Sequence, residues 1–178
     1  MTVVFNVLLL AGLPCLMLCA QKGEARPQFS EYPAGEIYRG GPGTVRSTEK
    51  LDERYLPMIR DEVRLGPNFA GRYRIVKVRT GDGPIGAFVV DVASGLVIRP
   101  PKEVAGKGIH IGDTSCLGRN DESVLSYATD SELLIVSRCI STNTLPRAIE
   151  TSYFRWRNSK WTFLFRESLR PPPPPPVQ

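Results

Sequence analysis

Residues 87–98 read Ala87-Phe88-Val89-Val90-Asp91-Val92-Ala93-Ser94-Gly95-Leu96-Val97-Ile98, two apolar runs on either side of a short turn. This pattern is typical of a β-hairpin, in which Gly95 takes the positive φ that the turn requires. The following Arg99-Pro100-Pro101 ends the second strand, because proline cannot donate to a strand ladder. The pattern predicts an antiparallel sheet at the centre of the chain.

Further strands are predicted on both sides of this hairpin. One covers 72–79, a second hairpin joins 123–128 to 132–138, and a third joins 149–156 to 161–165. Because the connections within these pairs are short, we expect neighbouring strands to lie antiparallel in a meander. Strand alternation places three aromatic side chains of the last strand on one core-facing side: Trp161, Phe163 and Phe165.

The segment before the first strand, 47–65, predicts an amphipathic helix. Ser47 or Thr48 can cap it, and apolar residues recur three and four positions apart, which gives one stripe to lay on a sheet. Pro57 lies inside the segment, so we expect a kink or two short helices with the break near Leu56. The predicted fold class is α+β: one N-terminal amphipathic helix packed on an antiparallel β-meander of about six or seven strands.

The first twenty residues carry no charged side chain and are strongly apolar, which is typical of a secretory signal peptide. Ala20 would be the last residue before the cut, and Ala25 offers a second cleavage position. Two alternatives stay open: an uncleaved anchor, since about 18 apolar residues just span a bilayer, and a lipoprotein lipidated at Cys19. We expect an exported protein, periplasmic or extracellular, that meets a membrane only through an uncleaved signal or a lipidated Cys19.

Composition divides the rest of the chain into three parts. Residues 21–46 are rich in Gly, Pro and Arg without a period, and we interpret them as a flexible arm. Residues 47–168 carry the predicted elements and fit one globular domain. Residues 169–178 contain the run Pro171–Pro176 and predict a polyproline tail.

Cysteine usage and charge limit the function classes. Cys116 and Cys139 follow the signal, and in an oxidising compartment we expect them to form a disulfide bond, with two buried free thiols as the alternative. The formal net charge of +5 comes from scattered Lys and Arg. Without a basic stripe this charge argues against a nucleic-acid partner and favours a mild attraction to anionic envelope polymers or lipids.

One segment, Pro67-Asn68-Phe69-Ala70-Gly71-Arg72-Tyr73-Arg74-Ile75-Val76, resembles a group of uncharacterised exported bacterial proteins that share Asn-Phe-Ala-Gly-x-Tyr. The group continues with a strand, a Gly/Cys-rich turn and an Asp-x-x-Ser/Thr-Gly hairpin, which is matched here at 91–95, and 130–136 also fits. The resemblance covers about residues 48–166. The chain departs from the group at 80–84, where Thr-Gly-Asp-Gly-Pro stands in place of paired cysteines. Because the group has no assigned activity, the resemblance implies none for this chain.

Histidine chemistry has one candidate, since His110 is the only histidine of the chain. A hydrolase would need a hydroxyl such as that of Ser115 within about 3 Å of His110, and an acid such as Asp113 or Asp91 to orient the ring. No Gly-x-Ser-x-Gly motif occurs. We interpret His110 as a loop residue that packs or hydrogen-bonds locally, and we predict no catalytic residue.

Asn68, in the Asn68-Phe69-Ala70-Gly71 junction, is a further candidate site residue. We expect Asn68 to bond its own backbone two residues on and Phe69 to fill the gap between helix and sheet, a structural role that we prefer to ligand binding. No metal site and no cofactor are predicted, because neither Cys116 nor Cys139 lies in a Cys-x-x-Cys pair and the chain has a single histidine.

Three functional hypotheses follow. The leading one is a non-enzymatic envelope or periplasmic binding or structural module, whose partner is an envelope polymer or a protein. The second is a hydrolase-type enzyme that uses the His110 loop at 102–121. The third is a secreted enzyme inhibitor, a role that small basic disulfide-bearing domains can carry.

Overall fold

Residues 25–47, 53–79, 85–101, 124–140 and 148–169 are described by the structure, a computed structural model of the chain. Within them eight strands form two four-stranded sheets. Sheet 1 has the order β1 (Arg46–Ser47), β4 (Leu96–Ile98), β3 (Ile85–Asp91), β2 (Tyr73–Arg79). Sheet 2 has the order β5 (Leu125–Tyr127), β6 (Leu133–Ile140), β7 (Ala148–Arg157), β8 (Lys160–Leu169).

One α-helix, α1 (Leu56–Val63), occurs within the described residues. Short 3₁₀ turns cover Glu53–Tyr55 immediately before it and Phe29–Glu31 near the start of the described chain. Pro57 stands in the first turn of α1. There its missing N–H has no helical partner to lose and its fixed φ suits a helix, so the proline begins the helix instead of kinking it. The beginning of the predicted helix, 48–52, lies outside the described residues.

The predicted fold class is wrong. The described chain is mostly β, with two sheets instead of one meander, and α1 is internal and only 8 residues long. Sheet 1 is also mixed, because β1 pairs with β4 in parallel. Local periodicity predicts strands and hairpins but carries no information on which hairpins share a sheet, so the division into two sheets was missed.

Sheet 1 lies between α1 and sheet 2 and is covered on both faces. Val76 and Val78 of β2 pack with α1, whereas Ile75, the residue before Val76, faces sheet 2. The same alternation on β3 explains why Phe88-Val89-Val90 is apolar at every position. The inter-sheet core consists of Phe69, Ile75, Ala87, Val89, Val124, Leu125, Leu134, Val136, Phe154 and Trp156. The helix-side core consists of Ile59, Val63, Val76, Val78, Phe88, Val90, Val92 and Val97.

A β-bulge in β8 overturns the predicted common face of its aromatic residues. Phe163 pairs with Phe154 of the inter-sheet core, but the register shifts there and Phe165 pairs with Tyr153 on the other face. Leu164 is the extra residue between them. A bulge inserts one residue and so reverses the alternation beyond it, which no periodicity in the sequence reveals.

The described part of the segment predicted as a flexible arm, 25–46, is hydrogen-bonded to both sheets. The Ala34 N–H donates to the carbonyl of Asp130 in the turn before β6, and the Gly43 N–H donates to the carbonyl of Val92 after β3, both at 2.8 Å. Farther back, Arg26 forms an ion pair of 2.8 Å with Glu167 of β8. These contacts tie the arm to sheet 1 once and to sheet 2 at two separate points.

Candidate functional site

The Asn68-Phe69-Ala70-Gly71 junction folds back against β2. The Asn68 side chain accepts a hydrogen bond from the Ile75 N–H at 2.7 Å and donates one to the Ile75 carbonyl at 3.1 Å. The amide therefore pairs with the backbone of β2 as a neighbouring strand would, instead of with its own backbone as predicted. Both polar atoms of the Asn68 side chain are used in this way, which gives the residue a structural role.

Phe69 lies between the two sheets and not between helix and sheet. It is fully buried and stacks on Trp161 with ring centroids 5.9 Å apart, while Tyr127 meets it edge-on at 6.5 Å. The junction thus anchors sheet 1 to sheet 2 at the point where β2 begins.

Gly71 brings the arm to the same place. Its φ is +70°, and a Cβ there would lie 2.9 Å from the Glu36 carbonyl oxygen, so only glycine fits. Its own carbonyl accepts a hydrogen bond of 2.8 Å from the Tyr38 N–H. This close approach sets the side chains of the arm beside Arg72.

A surface cavity of about 290 Å³ results, which we call the Arg39–Arg72 pocket. Its lining is given by four consecutive arm residues and the residue before β2: Glu36, Ile37, Tyr38, Arg39 and Arg72. Two guanidinium groups and one carboxylate give the lining an excess of positive charge. Ile37 is 38 % exposed and offers an apolar surface to the same space.

Arg72 is fixed by a bidentate pair with Asp91. The Arg72 Nε donates to Oδ1 at 2.7 Å and Nη2 donates to Oδ2 at 2.8 Å. Asp91 is itself held, because its Oδ1 accepts a hydrogen bond of 3.0 Å from the Ala93 N–H in the turn after β3. The Arg72 side chain remains 50 % exposed, so one edge of its guanidinium is fixed by the protein and the other reaches the pocket.

The electrostatics follow this geometry. Burial raises the pKa of the Asp91 carboxyl, but hydrogen bonds from Arg72 and Ser94 outweigh that effect and hold the pKa below its usual value. The hydrogen bond to Asp91 raises the pKa of Arg72, against a smaller opposing contribution from burial. The pair is therefore fully charged at neutral pH, and its ionic form holds the pocket in place.

A second polar cluster lies on sheet 2, but its groups satisfy one another. Glu150 of β7 is 8 % exposed and accepts a hydrogen bond of 2.9 Å from the Arg138 Nε, with Arg166 at 3.7 Å on its other oxygen. On the opposite face, burial and the hydrogen bond to Glu167 raise the pKa of Tyr153 to about 12. Because the charges and hydrogen bonds of these groups are directed at each other, we interpret them as structural pairs between adjacent strands.

Of the predicted site residues, Asn68 lies at the junction beside the pocket. His110, Asp113, Ser115, Cys116 and Cys19 lie outside the described residues, as do the predicted signal at 1–20 and Pro171–Pro176. Cys139 on β6 is disulfide-bonded, and since it is the only cysteine of the described segments, its pairing with Cys116 stays a prediction.

No group of three or more His, Cys, Asp or Glu side chains within the described segments is arranged to hold a metal ion. Likewise, none of the helices in that part of the chain is long and apolar enough to cross a membrane.

Sequence reasoning missed the pocket residues Arg39 and Arg72. One signal was available: Asp91 interrupts the apolar run from Phe88 to Val92, and a carboxylate in such a run needs a cationic partner. That signal predicts an arginine near Asp91 without saying which one. No family model, no curated protein and no solved structure matches this chain.

Proposed function

We propose that this chain is an exported, non-enzymatic binding module that holds anionic groups of an envelope polymer in the Arg39–Arg72 pocket. The export part rests on the apolar, uncharged first twenty residues. The binding part rests on one observation: Arg72 is clamped by Asp91 and is still half exposed at the pocket.

A clamped arginine suits anion binding for a physical reason. A guanidinium presents parallel N–H groups that match a carboxylate or a phosphate in two-point contact. Because Asp91 already fixes the Arg72 rotamer, little side-chain entropy is lost when a ligand binds. Arg39 adds a second cation from the other wall. The five described lining residues include no paired nucleophile and base, which favours binding over catalysis.

The test compares two charge-matched variants, Arg39→Gln and Arg60→Gln. Arg39 lines the pocket, whereas Arg60 is an exposed residue of α1 that does not. Both variants lower the net charge by one. Binding of the purified domain to poly-glutamate, to inorganic polyphosphate and to neutral dextran is measured by titration calorimetry at low salt.

We expect the wild-type chain to bind at least one polyanion and not dextran. Arg39→Gln should weaken that binding about tenfold, the loss typical of one charge-assisted contact, and Arg60→Gln should change it little. The two polyanions separate a carboxylate ligand from a phosphate ligand. Equal losses in both variants would show that only overall charge attracts polyanions, and the pocket would then have no binding role.

A further inference from the structure

β8 forms one edge of sheet 2, and within the described residues β7 is the only strand paired with it. At 10 residues it is a long edge, and an edge strand presents a row of backbone donors and acceptors that a further strand can pair with. Four large hydrophobic side chains of the described chain are exposed, and two of them, Phe163 at 46 % and Leu169 at 49 %, lie on β8. Both observations mark this edge as a surface for association.

The hydrogen-bond pattern determines which residues of β8 face outward. The Trp156 N–H of β7 donates to the Glu132 carbonyl on the β6 side. In an antiparallel ladder the residue opposite Trp156, which is Trp161, then directs its backbone away from β7. Alternation and the bulge at Leu164 extend this to four residues whose backbone N–H and C=O groups point away from β7. These outward residues are Trp161, Phe163, Arg166 and Ser168.

These four residues are arranged symmetrically about the bond between Leu164 and Phe165. We propose that a second copy of this chain binds here, with the two β8 strands antiparallel and related by a two-fold axis at that bond. Trp161 then lies opposite Ser168 of the second copy, and Phe163 lies opposite Arg166 of the second copy. This register pairs all four outward residues with outward residues, and each facing pair has its side chains on the same face of the joined sheet.

The side chains in this register are complementary. Within one copy the Arg166 guanidinium lies 5.3 Å from the Phe163 ring centroid, and pairing repeats that contact twice between the copies. On the other face Lys160 comes diagonal to Glu167 of the second copy, so opposite charges meet. A two-fold interface forms each of these contacts twice, which is how a short strand pair gains enough energy to associate.

Sedimentation equilibrium of the purified domain, from micromolar to millimolar concentration, tests the interface. Two variants add the same charge: Phe163→Lys on β8 and Leu65→Lys beyond the end of α1, where Leu65 is 69 % exposed. We expect the wild type to form a reversible dimer. The dissociation constant of that dimer should be at least about tenfold higher for Phe163→Lys and nearly unchanged for Leu65→Lys.

A third variant, Ser168→Pro, removes an outward backbone donor without touching the ladder to β7 and should also weaken the dimer. A circular dichroism melt of each variant separates loss of association from loss of folding. In the wild-type dimer the amides of Phe163, Arg166 and Ser168 should exchange more slowly than in the monomer. A wild-type monomer at every concentration, or a dimer that both β8 variants leave intact, would overturn the proposal.

Discussion

The Asp91 carboxylate is the single residue on which the geometry of the pocket depends. It is 9 % exposed and binds Arg72 through both oxygens, and it also accepts from the turn that follows β3. One side chain thus ties the β3–β4 hairpin to the start of β2. Removing its charge should affect stability and the position of Arg72 together.

We predict that Asp91→Asn lowers the free energy of unfolding at neutral pH by about 1–3 kcal/mol, since it weakens charge-assisted hydrogen bonds. The folded-state pKa of Asp91 lies below its ordinary value of 3.8. The carboxylate therefore contributes its stability above that value, and the contribution is lost as the pH falls through the folded-state pKa. Urea titrations between pH 7 and pH 2 should show the wild type and Asp91→Asn converging in acid.

The control for this prediction is Asp61→Asn on α1. The Asp61 side chain is 74 % exposed and pairs with the equally exposed Arg64, so we expect little change in stability. A difference between wild type and Asp91→Asn that stays constant down to pH 2 would contradict an ionic role for Asp91.

Among the elements, the described part of the arm, 25–46, owes its position to the turn before β6. The Ser131 hydroxyl is buried and lies 2.9 Å from the Phe29 carbonyl and 3.0 Å from the Tyr32 carbonyl, and it accepts from the Leu133 N–H at 3.2 Å. The Ser131 carbonyl also accepts from the Ala70 N–H of the junction at 3.1 Å. This turn therefore holds the arm and the junction together, and with them two walls of the pocket.

We predict that Ser131→Ala loosens the arm, because it removes the hydroxyl that joins the Phe29 and Tyr32 carbonyls to the turn and takes away the acceptor of the Leu133 N–H. Stability should fall by about 1–3 kcal/mol, and the arm amides of Ala34 and Tyr38 should exchange faster with deuterium. Ser137→Ala is the control, since the Ser137 hydroxyl bonds Thr151 within sheet 2. Faster arm exchange in both variants would mean that the arm depends on overall stability and not on Ser131.

The elements also show which parts of the fold the sequence predicts and which parts it does not. The β3–β4 and β7–β8 hairpins were predicted because alternating apolar runs and their turns are local signals, and Asn158 and Ser159 do turn with positive φ. The arm has no period, because backbone hydrogen bonds to distant turns hold it and leave no pattern in its side chains. The pocket has the same origin: it exists because Gly71 admits the Glu36 carbonyl, a contact between segments that lie 35 positions apart.

At the scale of the whole molecule, pairing through β8 would give each assembly two Arg39–Arg72 pockets. A polymer that carries many anionic groups can then occupy both pockets, and the second contact forms at a high effective concentration. A short anion that occupies a single pocket gains nothing from the second copy. The two proposals together predict an affinity that depends on polymer length, although each can fail alone.

We therefore expect Phe163→Lys to bind a short anion, such as a glutamate dipeptide, as well as the wild type does. The same variant should bind long poly-glutamate at least tenfold more weakly, because it loses the second contact. Leu65→Lys adds the same charge without touching β8, and should behave as the wild type with both probes. Titration calorimetry of the three proteins with the two probes gives the six affinities. If Phe163→Lys loses affinity for the short and the long probe alike, β8 would act on the pocket directly and not through pairing. If it loses affinity for neither while the dimer is absent, the pocket works in a single copy and the dimer has no part in binding.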